Sequence, residues 1–346
     1  MVHTLVVTWL YLLQVCASHG PVLSNNFPDP SIIRVGDKYY GFATRTRVPR
    51  INVQVAEATA ADSTRWSLRE GYDAMPSVPE WVNTETMPGP EVWSPDVNQL
   101  DDGTFVLYFA AASRRLVPSH EQRQHCIGAA LSNNVLGPYQ PLEEPLACDL
   151  EAGGAIDPDG FLDLVSGKRY LLYKVDGNSL GRNGSCSRYI APTPLMLQQV
   201  KVDGVSLVDQ PIELLTNTRY DGPNIEAPSL VYHDQKHYLL YNSRCWANQT
   251  YNVKYAVSYD GVEGPYHKSP RPLLVSGQKL NGVELHAPGG VEVDPSNSSR
   301  IVFHSDTNVN WFALKTFDPK GRIRAMFAAD LRFDDGGLLT VKSIGS

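Results

Sequence analysis

Outside its first twenty residues the sequence has no long hydrophobic run, no cluster of basic residues and no C-x-x-C pair. Without a long apolar run, the mature chain is not expected to cross a membrane as a helix. The formal net charge is −7 and there is no Lys/Arg stripe, so a nucleic-acid partner is not expected and a neutral carbohydrate is easier to accommodate. Without cysteines at zinc spacing, a zinc site is not expected either.

The amino terminus has the features of a secretory signal peptide. The residues from Leu5 to Val15 are apolar but too few to span a bilayer. Val15 and Ala17 occupy the small-residue positions before a cleavage site. We therefore expect residues 1–17 to be removed and residues 18–346 to be secreted into the extracellular space. A buried first strand is the alternative interpretation of this segment.

The cysteines that remain after this cleavage suit an oxidising compartment. An even number of them predicts two disulfides, with three pairings open. Acceptor triplets for N-glycosylation are also present, so a glycosylated protein is expected. The cysteines are Cys126, Cys148, Cys186 and Cys245. The acceptors are Asn183, Asn248 and Asn297.

Helical periodicity is scarce, and short strands of aromatic and β-branched residues recur along the chain instead. Five of them follow a polar turn and begin about 65 residues apart. Their first residues are Tyr39, Phe105, Tyr170, Tyr238 and Ile301. Antiparallel units repeated in this way predict an all-β fold, a single-domain five-bladed β-propeller over residues 18–346. A β-sandwich is the structural alternative.

A second element with a proline precedes each of these strands, and it reads FPDPSII, VWSPDVN, AIDPDGF, IEAPSLV and LHAPGGV. The alignment of these elements places Asp29, Trp93, Asp157, Glu226 and His286 at one position of the repeat. Because the first strand of every propeller blade lines the central channel, residues at one position converge on the axis. Each Asp-Pro alone is an ordinary turn signal. Acids gathered at an axis shift each other's pKa values and can perform acid–base chemistry.

Glycoside hydrolysis needs two carboxylates across a pocket, one to protonate the leaving oxygen and one to activate water or attack the sugar. The stretches FPDPSII, WSPD, IDPDGF and EAP resemble glycoside hydrolase family 43, whose members are inverting five-bladed propellers, over essentially the whole mature chain. The resemblance implies that Asp29 is the general base, Glu226 the general acid, and Asp157 the residue that tunes the pKa and orientation of Glu226. Asp159 is then the turn residue, and Asp163 is interpreted as a solvated strand residue.

The same resemblance suggests further site residues. Trp93 and Arg324 match a family tryptophan and arginine, so they are candidates for substrate binding, with a blade-packing tryptophan and a surface arginine as the alternatives. Many family members hold a channel metal ion with a histidine of the fifth blade. The matching place here is Gly289 or Gly290, and His286, just upstream, is the candidate substitute as a metal ligand. No cofactor is expected to be required, and a structural calcium ion is left open.

The resemblance also suggests the substrate. The sequence stops after five blades, without the C-terminal β-sandwich of many family xylosidases, so we expect removal of α-L-arabinofuranosyl units from arabinan or arabinoxylan. A β-D-xylosidase and an endo-arabinanase are the enzymatic alternatives. A carbohydrate-binding propeller or a protein-binding scaffold without catalysis is the non-enzymatic one. The expected partner is an arabinose- or xylose-containing polysaccharide or oligosaccharide, and the chain is expected to be a monomer.

Overall fold

The structure is a computed structural model that describes residues 20–344 except 48, 86–88, 118–122, 182–191, 281 and 309–321. Over these residues it consists of antiparallel strands with a single 3-10 turn at Gly177–Leu180. Five four-stranded sheets follow one another along the described chain, which confirms the predicted five-bladed, all-β propeller. No described helix is long and apolar enough to cross a membrane. The predicted signal peptide lies outside the described residues.

Each sheet is one blade, and its strands lie side by side in chain order. Blade one contains β1 (Ser31–Val35), β2 (Lys38–Ala43), β3 (Gln54–Thr59) and β4 (Asp62–Leu68). Blade two contains β5 (Val92–Gln99), β6 (Phe105–Ala112), β7 (His125–Ser132) and β8 (Gln140–Pro141). Blade three contains β9 (Ala155–Leu162), β10 (Arg169–Val175), β11 (Leu195–Val200) and β12 (Ile212–Leu215).

The last two blades follow the same plan. Blade four contains β13 (Ile225–His233), β14 (Lys236–Ser243), β15 (Asn252–Ser258) and β16 (His267–Lys268). A short hairpin of β17 (Lys279–Leu280) and β18 (Val283–Glu284) comes next. Blade five contains β19 (Gly289–Val293), β20 (Arg300–Asp306), β21 (Arg324–Phe333) and β22 (Leu339–Ser343). The first strands of neighbouring blades contact one another around the axis.

The hydrophobic core lies between the blades. Aromatic and aliphatic side chains form five main clusters, and each cluster joins two neighbouring blades. Phe42 and Leu107 belong to the cluster between blades one and two, and Tyr39 and Val302 belong to the cluster between blades one and five. Both faces of a blade are therefore buried, which explains why strands such as β6 are apolar at every position.

The first described residues close the ring of blades. The backbone N–H groups of Val22 and Leu23 donate to the carbonyl of Met326 in β21. The carbonyl of Val22 accepts the backbone N–H of Trp66 in β4. This segment therefore connects the last blade to the first, as a closed propeller requires.

One of the two predicted disulfides lies within the described part of the chain. Cys126 in β7 is bonded to Cys148. Cys245 is disulfide-bonded as well, while Cys186 and the acceptor Asn183 lie outside the described residues. The other two acceptors, Asn248 and Asn297, are exposed.

A residue with positive φ recurs at the axial start of every blade. We call these five residues the first axial ring: Asp29 (52°), Ser94 (45°), Asp157 (55°), Ala227 (50°) and Gly290 (57°). In blades two to five the strand pairing shifts register at this point, which is the mark of a β-bulge. Four non-glycine residues in this conformation are strained, and such strain is commonly found at functional sites.

The ring corrects the predicted alignment of the repeat. Trp93 and Glu226, which pair with Ala110 and Asn242, each lie one residue before their ring member. His286 lies four residues before Gly290, because Pro288 of blade five is not equivalent to the prolines of the other blades. Only Asp29 and Asp157 of the five aligned residues share the ring position. In blades one to four the ring member is the residue directly before the proline, and Trp93 and Glu226 each lie one residue further from it.

Candidate active site

The first axial ring surrounds a cavity of about 30 Å³ at the axis of the propeller. Asp29 and Asp157 line it from blades one and three. Glu226 of blade four lies next to Asp157, whose Oδ2 accepts the backbone N–H of Ala227 at 3.0 Å. The charges of Asp29 and Glu226 both act on Asp157. The structure therefore brings the three predicted acids together.

Asp29 is held at both carboxylate oxygens. The Thr44 hydroxyl donates to Oδ2 at 2.7 Å, and the Arg324 guanidinium donates to Oδ1 at 3.1 Å. Burial raises the pKa of Asp29, but the charge of Arg324 and the other contacts outweigh it, so the pKa lies below its usual value. Asp29 is therefore ionised at neutral pH, the state that a general base needs.

His304 in β20 supports the backbone of Asp29. Its Nδ1 accepts the Asp29 backbone N–H at 3.1 Å. Burial lowers the pKa of His304 to about 3, so the ring is neutral. The 3.4 Å approach of Nδ1 to Oδ1 of Asp29 is consequently not an ion pair. His304 instead holds Asp29 in its positive-φ conformation.

Glu226 is 6% exposed and accepts hydrogen bonds on both oxygens. Lys174 Nζ and Asn224 Nδ2 donate to Oε2 at 3.0 and 2.5 Å, and the Tyr251 hydroxyl donates to Oε1 at 2.7 Å. Lys174 is completely buried and also pairs with Asp176 at 2.8 Å. These contacts fix the orientation of Glu226 and balance its charge.

Asp157 shares its environment with Glu226. The Ser94 hydroxyl contacts Oδ1 at 2.9 Å. Burial, followed by the charge of Glu226, raises the pKa of Asp157 to about 7, and the charge of Lys174 opposes this. Asp157 therefore retains its proton below about pH 7. Asp157 also holds the backbone beside Glu226, because its Oδ2 accepts the N–H of Ala227.

The remaining predicted site residues have different surroundings. Arg324 lies in the site, beside Asp29. Trp93 is half-buried and stacks on His125 with ring centroids 3.9 Å apart, so one face of its indole is covered. Neither Trp93 nor His286 lines the axial cavity. The backbone of His286 hydrogen-bonds to Ser305 and Asp306.

A channel metal held by a histidine does not fit the first axial ring. Gly290 occupies the ring position of blade five, and a Cβ there would lie 2.8 Å from Nδ1 of His304 and 3.0 Å from Cα of Asp29. The ring therefore has no room for a larger side chain at this position. His286 belongs to no cluster of three metal-binding side chains in the described part of the chain. We assign no step of the chemistry to such a metal.

Asp159 and Asp163 of the central motif are buried, which contradicts their interpretation as a turn residue and a solvated residue. Each is 3% exposed, and Asp159 lies within β9. Asp163 accepts a hydrogen bond from the Ser166 hydroxyl and lies 3.2 Å from Nε2 of His237. The motif forms a strand because it pairs with β10, and this pairing overrides the local turn signal.

Sequence reasoning missed several residues that contact the predicted acids. They are Thr44, Ser94, Lys174, Asn224, Tyr251 and His304. Lys174 carried a usable signal, since it interrupts the apolar strand RYLLYKV and a buried lysine requires a partner. The others lie at ordinary polar or aromatic positions, which gave no such signal.

Comparison with known proteins identifies the family to which the chain belongs. Residues 18–337 match the model of glycosyl hydrolases family 43, so the chain belongs to that family. A crystal structure of a thermostable family-43 glycoside hydrolase has a TM-score of 0.69 and 23% identity, and the match covers 92% of this chain and 93% of that one. This likeness independently supports the propeller fold.

Two curated proteins are similar in sequence, and both are named as arabinanases. An extracellular endo-α-(1→5)-L-arabinanase of Thermotoga petrophila is 29% identical over 149 residues, 37% of this chain and 28% of that protein. Extracellular endo-α-(1→5)-L-arabinanase 2 of Bacillus subtilis is 26% identical over 268 residues, 71% of this chain and 51% of that protein. The match thus spans about half or less of the length of these relatives.

Proposed function

We propose that the protein is a secreted, inverting glycoside hydrolase that removes α-L-arabinofuranosyl units from plant cell-wall arabinan or arabinoxylan. The observation that carries this proposal is the convergence of Asp29, Asp157 and Glu226 on the propeller axis with complementary protonation. Asp29 is ionised, while Asp157, beside Glu226, retains a proton below about pH 7. Family membership supports hydrolysis, and the names of the two relatives support arabinose and an extracellular location.

In the proposed reaction, Glu226 donates its proton to the glycosidic oxygen as the bond from that oxygen to the anomeric carbon breaks. Asp29 accepts a proton from water, and the water oxygen bonds to the anomeric carbon from the opposite face. Asp157 orients Glu226 and shares its proton. Proton exchange with solvent then returns both acids to their starting states.

Arg324 and Trp93 are the proposed substrate-binding residues. The Arg324 side chain is 21% exposed beside Asp29, so a sugar held near the base lies within reach of its guanidinium. Trp93 offers a sugar only one face of its indole ring, because His125 covers the other face.

The names of the relatives favour endo-arabinanase as a second candidate. Chromatography of the products from linear α-1,5-arabinan distinguishes the two. Arabinose alone from the earliest times supports removal of terminal units, and a series of oligosaccharides indicates internal cleavage. Hydrolysis of an aryl β-D-xyloside only would overturn the choice of sugar. No hydrolysis of any of these substrates would contradict the enzyme and favour a carbohydrate-binding propeller.

Replacing Lys174 with methionine is expected to move the alkaline limb of the kcat/KM profile to higher pH. Activity needs a proton on the acid side of the site and is lost as pH rises through the raised pKa of Asp157, about 7. The charge of Lys174 lowers the pKa of Asp157, so its removal makes Asp157 hold its proton more tightly, by on the order of one pH unit. The measurement is the pH dependence of kcat/KM between about pH 4 and 9.

The matched control is Lys168→Met, which removes an exposed lysine from the same blade and is expected to leave the profile unchanged. Lys174→Met is also expected to destabilise the fold by about 3–5 kcal/mol, because Asp176 and Glu226 lose a buried partner. An alkaline limb that stays in place or moves to lower pH would contradict this assignment of Lys174.

A further inference from the structure

Two loops on the catalytic face of the propeller are rich in arginine. One comprises residues 44–53 between β2 and β3, and the other comprises residues 113–124 between β6 and β7. Together they contain six arginines and one acid, Glu121, which lies outside the described residues. The net charge of −7 hides this concentration, because the rest of the chain is acidic. We call the six arginines the arginine surface: Arg45, Arg47, Arg50, Arg114, Arg115 and Arg123.

The arginine surface lies beside the proposed catalytic residues. Thr44, the first residue of one loop, donates its hydroxyl to Asp29, and Arg45 is the next residue. The other loop ends directly before His125, on which Trp93 stacks. A polysaccharide that places one of its sugars at Asp29 therefore has both loops next to it.

The two loops meet at the ring of His125. Burial lowers the pKa of His125 to about 4, and the charges of Arg45 and Arg123 lower it as well. One arginine of each loop therefore lies close to the same ring. The Arg123 guanidinium donates to the carbonyls of Ser113 and Arg114 at 2.7 and 3.2 Å, which holds the second loop in place. The arginines of the two loops thus form one continuous surface.

The arginine surface has few counter-charges. Glu91 pairs with Arg45 at 3.0 Å. Burial lowers the pKa of Arg45, the charge of Glu91 opposes this, and the charges of Arg47 and Arg50 lower it further. In the described part of the chain, no carboxylate forms an ion pair with three exposed members of the surface, Arg47, Arg114 and Arg115. Like charges gathered beside a site repel one another, and they attract ligands of the opposite charge.

We propose that the arginine surface binds carboxylates of uronic acid units in the polysaccharide that carries the arabinofuranosyl groups. This inference rests on the proposed function and extends it from the sugar that is cleaved to the chain that surrounds it. Guanidinium groups match the planar geometry of carboxylates and donate two parallel hydrogen bonds to them. The arginines are spread over two loops, which fits carboxylates spaced along a polymer better than one small anion. The substrate is therefore an acidic polysaccharide and not a neutral one.

The first test measures binding without hydrolysis. Calorimetric titration at pH 7 compares tetragalacturonate, which carries no arabinose, with the same oligosaccharide after reduction of its carboxyl groups. The wild type is expected to bind the acid about tenfold more tightly at low salt. This preference should largely disappear at about 1 M NaCl, because salt screens exposed charges. A xylan oligosaccharide that carries glucuronate is titrated in parallel, and the tighter ligand identifies which uronate the surface selects.

The second test removes one exposed arginine from each loop. Arg47→Gln/Arg115→Gln is expected to weaken the binding of tetragalacturonate about tenfold. On arabinan still attached to a galacturonate-containing backbone, its KM should rise by a similar factor with little change in kcat. A merely structural role of these arginines would not produce an effect that depends on the carboxyl groups of the substrate.

Arg34→Gln/Arg332→Gln is the matched control. It removes the same charge at exposed positions near the ends of β1 and β21, on the face opposite to Asp29. This control is expected to leave both binding and KM unchanged.

Three results would overturn the proposal. They are equal affinity for the acidic and the carboxyl-reduced oligosaccharide, an equal loss of binding in the control variant, and equally tight binding of a short DNA duplex, which would indicate a general polyanion surface. The titrations need no turnover, so they remain decisive if the protein fails to hydrolyse an aryl α-L-arabinofuranoside. That failure would contradict the proposed function alone.

Discussion

Asp29→Asn is expected to lower kcat by about 10³- to 10⁴-fold on aryl α-L-arabinofuranosides and on arabinan alike. The asparagine side chain cannot accept a proton from the attacking water. Its oxygen can still accept the Arg324 hydrogen bond, and the backbone N–H can still donate to His304, so the fold should survive. Both substrates lose activity equally, because the attack of water is common to them. The measurement is steady-state kinetics beside thermal unfolding.

Asp37→Asn is the control for this experiment. It makes the same chemical change in the same blade, at an exposed turn between β1 and β2. This variant is expected to keep wild-type kinetics. Appreciable turnover by Asp29→Asn on either substrate would contradict the assignment of Asp29 as the general base.

Glu226→Gln is expected to produce a loss that depends on the leaving group. On arabinan, whose leaving oxygen needs a proton, kcat should fall by about 10²- to 10⁴-fold. On an aryl glycoside with an acidic phenol, kcat should fall far less, because that leaving group departs without protonation. The alkaline limb of the pH profile should also vanish on the activated substrate. Glutamine can keep hydrogen bonds to Lys174 and Tyr251, so the site geometry should be retained.

The control is Glu263→Gln, an exposed glutamate of blade four that lies between β15 and β16. It is expected to leave both substrates unaffected. Equal losses on activated and natural substrates would show that Glu226 does not act as the general acid.

The blade repeat could be predicted because every blade buries its second strand between its neighbours in the same way. Tyr39, Phe105, Tyr170 and Tyr238 all lie in second strands that are buried between neighbouring blades. Such strands must be apolar on both faces, and their polar turns return at a regular interval. The pattern therefore predicted five units and a closed ring without any knowledge of side-chain contacts.

The exact axial register could not be predicted from the same pattern. Trp93 and Glu226 were aligned one position too early because each lies two residues before its proline, whereas Asp29 and Asp157 lie directly before theirs. In blade five the ring residue Gly290 is followed by Val291 and not by a proline. The alignment was therefore based on Pro288, which placed His286 at the ring position. The pairing between strands determines which residue takes the ring position in each blade. The spacing of residues along the chain does not contain this information.

The side chains that support the acids were equally hard to predict. Tyr251 reaches Glu226 from the residue before β15, and Asn224 from the residue before β13, where neither residue type is unusual. Burial of Asp159 also depends on tertiary context, because DPDG favours a turn until β10 pairs with it. The meeting of the three acids could be predicted from the sequence, whereas the protonation of Asp29 and Asp157 required the three-dimensional surroundings.

The stereochemistry of hydrolysis tests the central claim most directly. Proton NMR of an aryl α-L-arabinofuranoside during the first turnovers distinguishes the anomer of arabinose that is released before mutarotation. If Asp29 activates water on the face opposite to Glu226, the β anomer appears first and the α anomer follows as it equilibrates. Initial release of the α anomer would mean retention of configuration, and would contradict the proposed roles of both acids.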